Sequence, residues 1–276
     1  MFVFQVLKGV IFTKCQLNGM DFSHSVFEKR APTFFTTVFM NGASLVATKL
    51  PRDISCADMS ECDLSDMDLS SNVIVCANLT RAKLVNTKLP MGLQGVNFAD
   101  CDLSGMDLSH VDLTDAHLSH AILTGTKLPR SLVRVNLAKT DISGLDFSDK
   151  ILEGADFHRT KIKGTLFPKV LRGLKLSELD LSERDLTGFD FTDSDMDHVN
   201  LRKSILSGIK PPRSLKMANL SDCDLSHLHL RSTVIDGADF SRTKLVGAKF
   251  PHTLKKVRFT QRYDRCALPH VDVLSR

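Results

Sequence analysis

Between Phe98 and Leu128 a large apolar residue returns at every fifth position: Phe98, Leu103, Leu108, Leu113, Leu118, Leu123 and Leu128. Neither the helical period of about 3.6 residues nor the two-residue alternation of a strand produces this spacing. The flanking residues repeat with it, as VNFAD-CDLSG-MDLSH-VDLTD-AHLSH shows. Each unit offers a small residue, Asp or Asn, the large apolar centre, often Ser or Thr, and a variable position. A unit this short, sustained over most of a chain, makes a solenoid, in which each coil buries its apolar groups against the next.

The units Ala57-Asp58-Met59-Ser60-Glu61, Ala77-Asn78-Leu79-Thr80-Arg81, Ala218-Asn219-Leu220-Ser221-Asp222 and Ala238-Asp239-Phe240-Ser241-Arg242 resemble pentapeptide repeats, whose pattern is A-(D/N)-L-x-x. The resemblance runs from about residue 5 to residue 259 in register. It implies an all-β fold, a right-handed quadrilateral parallel β-helix with about four repeats per coil. In such a coil the centre and the small residue two before it point inward, and the other three positions face solvent. The repeats predict one continuous domain over residues 1–259. A loop is expected near 28–34, where Glu28-Lys29-Arg30-Ala31-Pro32 breaks the step. The tail over 260–276 loses the pattern and is expected to cap the last open edge.

Proline sets a slower beat. Pro51, Pro90, Pro129, Pro168, Pro212 and Pro251 stand in similar phrases (TKLPRDI, TKLPMGL, TKLPRSL, TLFPKVL, IKPPRSL, AKFPHTL), spaced by 39 residues except for 44 after Pro168. Two coils of four repeats take about 40 residues, so each block is one residue short. The shortage falls at the proline: Leu128 is followed by Leu132, and Leu50 to Ile54, Leu89 to Leu93, Phe167 to Leu171, Pro211 to Leu215 and Phe250 to Leu254 repeat the short step. Proline suits a cut corner because its φ is fixed and it has no N–H for a ladder. The 44-residue interval adds a whole repeat, so the proline ridge should shift by one face at Pro211.

Composition excludes several function classes. With 36 basic and 32 acidic residues the formal charge is +4, short of the strongly basic domain that grips nucleic acid. No specific nucleic-acid partner is expected, and exposed aromatics for base stacking are missing from the pattern. The chain has no Trp, one Tyr (Tyr263) and 17 Phe, which fit an interior rather than a stacking platform. Cysteine is odd in number, seven, with no CxxC pair. Cys15, Cys62, Cys101 and Cys223 fall in the small inward slot, and Cys62 and Cys101 should stand two coils apart on one face. That separation is about 9–10 Å at strand spacing, beyond disulfide reach, so these residues read as small buried hydrophobes of a reducing compartment. Met1-Phe2-Val3-Phe4-Gln5-Val6-Leu7-Lys8 is apolar but has no basic leader or A-x-A-like cleavage site, which predicts no signal peptide. No apolar stretch is long enough to predict a transmembrane segment.

On the proline face the residue before each centre runs Lys49, Asp68, Lys88, Asp107, Lys127, Asp146, Leu166, Asp185. Stacked at strand spacing, opposite charges alternate until Leu166 interrupts them. Basic residues gather after the prolines, among them Arg52, Arg130, Arg134, Lys169, Arg172, Arg213 and Lys216. A ridge of Arg130, Arg134, Lys169 and Arg172 is the candidate contact for an acidic protein partner, with weak contact to acidic lipid head groups as a further use. Lys150 and Arg184 occupy the inward slot, where a charge does not stay buried unpaired. Either the coil opens at these residues or their side chains snorkel outward; a local bulge there is the first place to look for partner contact.

No catalytic constellation emerges. Asp63 and Asp68, or Asp190 and Asp195, fall on different faces and make no acid/base dyad. The pairs His117 with His120 and His227 with His229 face outward without a third ligand, so no metal is expected. No phosphate-binding or dinucleotide motif is present, and no cofactor is expected. The chain therefore reads as a non-enzymatic scaffold for protein recognition. Within the resembled family its near-neutral charge, Met-Asp-Leu-Ser units and Lys-Leu-Pro corners look most like the repeat domains of enteric bacterial type III secreted effectors. That resemblance implies a protein held in the bacterial cytoplasm before export and secreted into host cytosol. Two alternatives stand beside it: a DNA-mimic topoisomerase-protecting protein, which calls for a continuous acidic face, and the targeting domain of a HECT-like bacterial ubiquitin ligase, whose catalytic segment is not visible here.

Overall fold

Five repeat positions perform five physical tasks, and the coil follows from them. The centre and the slot residue two before it are inside: Ala57 with Met59, Cys62 with Leu64, and Cys101 with Leu103 are all fully buried. Between them stands the ladder residue. Asp58 N–H donates to the Val38 carbonyl at 2.8 Å, and Met59 N–H donates to the Asn78 carbonyl at 2.8 Å, so the ladder residue bonds the coil before and the centre that follows it bonds the coil after. After the centre comes a turn closed by Cys62 N–H on the Met59 carbonyl at 3.2 Å, with Glu61 at φ 60°. A positive φ at the third residue defines a type II turn, and Gly105 (φ 69°) and Gly125 (φ 71°) hold the same position at no steric cost.

The Asp or Asn before each centre is a turn former as well as a ladder residue. Asp58 Oδ1 accepts from Ser60 N–H at 3.1 Å, Asp63 Oδ1 from Ser65 N–H at 3.1 Å and Asn78 Oδ1 from Thr80 N–H at 3.1 Å. This Asx bond satisfies an N–H that the turn would leave open, which explains why the repeat demands Asp or Asn there.

The computed structural model describes residues 6–8, 18–22, 25–28, 38–45, 47–260 and 272–274. Most of the loop expected near 28–34, the slot of Cys15 and most of the tail over 260–276 lie outside the described residues. Two compact units result, Met1–Asp141 and Ile142–Arg276. Each is a right-handed, four-sided parallel β-helix. In the first unit, β1 (Val6–Lys8) pairs in parallel with β2 (Val26–Glu28), and single-residue bridges take over from there. One column reads Asp58, Asn78, Asn97, His117, Asn136. Its steps alternate between 20 and 19 residues, the shorter coil being the one that crosses a proline corner.

In the second unit the corner moves. Pro168 lies between Leu166, which bridges Asp146, and Val170, which stands in the column Val170, Asp190, Lys210. Pro211 and Pro212 follow Lys210 in that column and precede Ser214, which bridges Asp195 in the next one. The 44-residue interval has therefore carried the corner one face around. At the end of the repeats β3 (Thr253–Lys255) pairs in parallel with β4 (Asp272–Leu274), so a segment beyond the repeats donates backbone to the final edge.

A hydrogen-bond ladder hidden in the interior adds to the reading of the sequence. The slot cysteines are donors as well as fillers: Cys62 Sγ donates to the Met40 carbonyl, Cys101 Sγ to Leu79 and Cys223 Sγ to Leu201, each at 2.9 Å. Threonines and serines in the same slot do likewise, as Thr126 Oγ1 to the Leu103 carbonyl (2.8 Å) and Ser204 Oγ to Leu181 (2.7 Å) show. Burial pushes the Cys101 thiol up to about 12, so it stays a protonated donor. Thr140, fully buried, donates to the Leu118 carbonyl at 2.7 Å. Thr140→Val keeps the shape and removes the donor, and is expected to cost about 1 kcal/mol, whereas Cys101→Ser, which keeps a donor, should cost less. Urea unfolding of the two variants checks this; equal costs would remove the ladder from the account.

Candidate protein-contact surface

The alternating column of the first unit carries ion pairs. Asp68 bridges Lys88 and Asp107 bridges Lys127, with Nζ–Oδ2 distances of 3.4 and 3.2 Å. These pairs are exposed, so they set register more than they add stability. Asp107 is drawn down to about 2, first by the Ser109 hydrogen bonds and then by Lys127.

Several basic residues expected to form a free ridge are already engaged. In the first unit Arg134 grips Asp115 with two bonds of 2.6 Å, while Arg130 is exposed beyond its corner. In the second unit Arg172 donates to Asp190 at 3.0 Å, and Lys210 joins the same carboxylate at 3.0 Å. Thr192, Lys210 and Arg172 together hold Asp190 far below the usual carboxylate range. Lys169 stays exposed and draws down nearby Asp185, whose main lowering comes from Thr187. The positive charge at these corners is thus partly spent inside the protein.

Lys150 and Arg184 resolve their placement by side chain, not by opening the coil. Bridges Asp146–Leu166, Asp156–Lys175, Asp180–Asn200 and Asp185–Ile205 continue through the region, so the bulge expected there does not form. Lys150, with a side chain only 15% exposed, lays its stem inward and sends its ammonium to Asp149 Oδ1 at 3.0 Å. Arg184 donates to the Thr165 carbonyl at 2.9 Å and to the Ile162 carbonyl. The Ile162 carbonyl stands where a slot hydroxyl would find its acceptor, so the guanidinium substitutes for the ladder donor. Burial pulls Arg184 below its ordinary range, and Asp180 opposes that.

What the sequence reading passed over is an apolar corner. Leu166 is 58% exposed and Val170 63%, and they flank Pro168 and half-buried Phe167. Ile151, 48% exposed, precedes Val170 by the length of one short coil. The signal was Leu166 breaking the charge column, joined to two more apolar residues in outward ladder positions. In the first unit Met91 and Val73 are also exposed, in a shallow groove beside Pro51 and Pro90. Among the described residues no group of three His, Cys, Asp or Glu side chains gathers as a metal site would require. No helix among them is long and apolar enough to cross a membrane.

Comparison with known proteins bears on the repeats themselves. A search of curated proteins gives no match. Among solved structures the chain is similar to HetL, a pentapeptide repeat protein involved in heterocyst differentiation regulation in the cyanobacterium Nostoc sp. strain PCC 7120. Identity is 19%, over 92% of this chain and 86% of that one, with a TM-score of 0.19. It is also similar to full-length QnrB1, a plasmid-mediated fluoroquinolone resistance protein, at 14% identity over 93% of each chain and a TM-score of 0.22. The family model for pentapeptide repeats matches residues 53–89, 93–128, 131–167, 171–210 and 214–251, and the gaps in that match fall on the four-residue proline corners. With most of its length matched in this way, the chain belongs to the pentapeptide-repeat family.

Proposed function

We propose that this protein is a non-catalytic scaffold that recognises a protein partner through the Pro168 corner of its second unit. Pentapeptide-repeat proteins are protein-interaction scaffolds. The observation that carries the reading is the exposure of Ile151, Leu166 and Val170 at one proline corner, rimmed by Lys169 and Arg172. Apolar side chains in solvent cost free energy until covered, and such a patch with a polar rim is the usual make-up of a recognition surface. The rim favours a partner with acidic residues around an apolar contact.

The sequence resemblance to enteric type III effectors supports placing that partner in a host cell. DNA mimicry is less well supported, because Lys88 and Lys127 interrupt the acidic column and neutralise it by direct pairing. Two variants test the reading in pull-downs from host-cell lysate: Ile151→Ser with Leu166→Ser and Val170→Ser, and Arg130→Glu with Arg134→Glu, Lys169→Glu and Arg172→Glu. The serine variant is expected to lower recovery of the wild-type partner by about tenfold, or ~1.4 kcal/mol; the charge variant should lower it less. Unchanged recovery with the serine variant would remove the corner from the account. Capture of gyrase and no host protein would overturn the effector reading.

A further inference from the structure

One pair of side chains lies outside the surface described above. Cys56 (φ 56°) and Cys76 (φ 57°) both occupy the left-handed turn position of their repeats. The bridges Asp53–Val73 and Asp58–Asn78 bracket them, so the two residues stand one above the other on adjacent coils of the first unit. Cys56 N–H donates to the Val75 carbonyl and Cys76 N–H to the Gln94 carbonyl, each at 2.9 Å, which keeps the corner in register. Both thiols are exposed, and burial together with the neighbouring Cys76 pushes the Cys56 thiol up. Neighbouring strands place their backbones about 4.7–4.9 Å apart, within the Cα separation of about 4.4–6.8 Å that a disulfide accepts.

The coil above completes the arrangement. Gly95 holds the next turn position in the column, and a Cβ there would stand 2.9 Å from Cys76 Sγ. The Cys76 thiol therefore lies against the Gly95 side of its corner, where glycine leaves it room. Cys62, Cys101 and Cys223 are buried, with burial raising their thiols to about 11, 12 and 11. They remain protonated and shielded from reagents in solution.

We propose that Cys56 and Cys76 form a surface dithiol that is oxidised reversibly to a cross-coil disulfide by a small-molecule disulfide of the glutathione type. The Cys76 thiolate attacks one sulfur of the reagent, forming a mixed disulfide and releasing one small thiol. Cys56, already against Cys76, then attacks the Cys76 sulfur as a thiolate; the Cys56–Cys76 bond forms and the second small thiol leaves. Each released thiolate takes up one of the two protons lost by the cysteines, and the reagent accepts both electrons. The product is a covalent staple between two coils at a corner, reversed by excess thiol.

Peptide mapping tests this directly. Cleavage before aspartate separates Cys56, Cys62 and Cys76 into the peptides 53–57, 58–62 and 68–99. Full-length protein is equilibrated with oxidised glutathione, free thiols are blocked, and the digest is analysed by mass. The expected species joins 53–57 to 68–99 and disappears on addition of reduced glutathione. In Cys56→Ser the joined species is lost and 68–99 instead carries one glutathione. Repeating the oxidation in urea should lower the joined yield by about tenfold, since register brings the thiols together. A linkage of Cys56 to Cys62, two separate glutathione adducts in the wild type, or an undiminished yield in urea would each overturn the proposal.

Discussion

Phe157→Ala is expected to destabilise the second unit by about 3–5 kcal/mol. Phe147 and Phe167 stack on one wall of the coil, with centroids 6.0 Å apart and an interplanar angle of 29°. Phe157 enters from the opposite wall and meets both edge-on, at 6.0 Å and 5.6 Å. Such aromatic contacts add to the burial energy of the ring, and Phe157 is fully buried. Truncation opens a cavity that the walls are poorly able to close. They are tied by ladder bonds such as Phe157 N–H to the Lys175 carbonyl, 2.8 Å. Phe157→Leu, which installs the residue most repeats carry at the centre, should cost about 1–2 kcal/mol by the usual scale for smaller core changes. Urea unfolding of both variants measures the difference. A cost below about 1 kcal/mol for the alanine variant would mean that the walls relax more freely than this packing implies.

Acid should produce the second large effect, by repetition of a small one. The Asx hydrogen bonds favour the ionised carboxylate, and Asp63, Asp68, Asp102, Asp107, Asp112, Asp146, Asp185 and Asp224 all lie below their ordinary value of 3.8 with a Ser or Thr hydrogen bond as first cause. A carboxylate whose pKa is lowered by folding contributes stability that is fully present above the unfolded value and is lost as pH falls through the folded one. The urea midpoint is therefore expected to hold above about pH 5 and to fall between pH 4 and pH 2, where Asp107 titrates at about 2. Asp107→Asn retains an oxygen to accept from Ser109 N–H and loses the titration, so its midpoint should depend less steeply on pH than the wild type's. A midpoint that stays flat from pH 5 to pH 2 would contradict the assignment.

Much of this architecture is legible in the five-residue period, because one inward centre per wall leaves a clear apolar signature. Leu103, Leu108 and Leu113 are buried as the period requires. The displaced corner at Pro211 follows from counting residues alone. The contact surface is harder to read, for two physical reasons. Apolar residues in ladder positions, such as Leu166 and Val170, do not disturb the period, so only their exposure on the folded coil distinguishes them. Ion pairs such as Arg134 with Asp115 and Arg172 with Asp190 join residues 19 and 18 positions apart, and each partner depends on coil length and side-chain reach together. Lys150 and Arg184 presented two outcomes in sequence, and the nearby carboxylate and carbonyls decided between them.

The interior donors give each stack a sense of direction. Backbone bonds run both ways between coils, but Thr87, Cys101, Thr126 and Thr140 all reach toward carbonyls contributed by an earlier part of the chain. During synthesis from the amino terminus, a newly emerged coil meets a platform whose acceptors are already in place. Growth from the opposite end would lay down carbonyls above donors still without partners, so within each unit the order of translation matches the order in which polar groups can be satisfied.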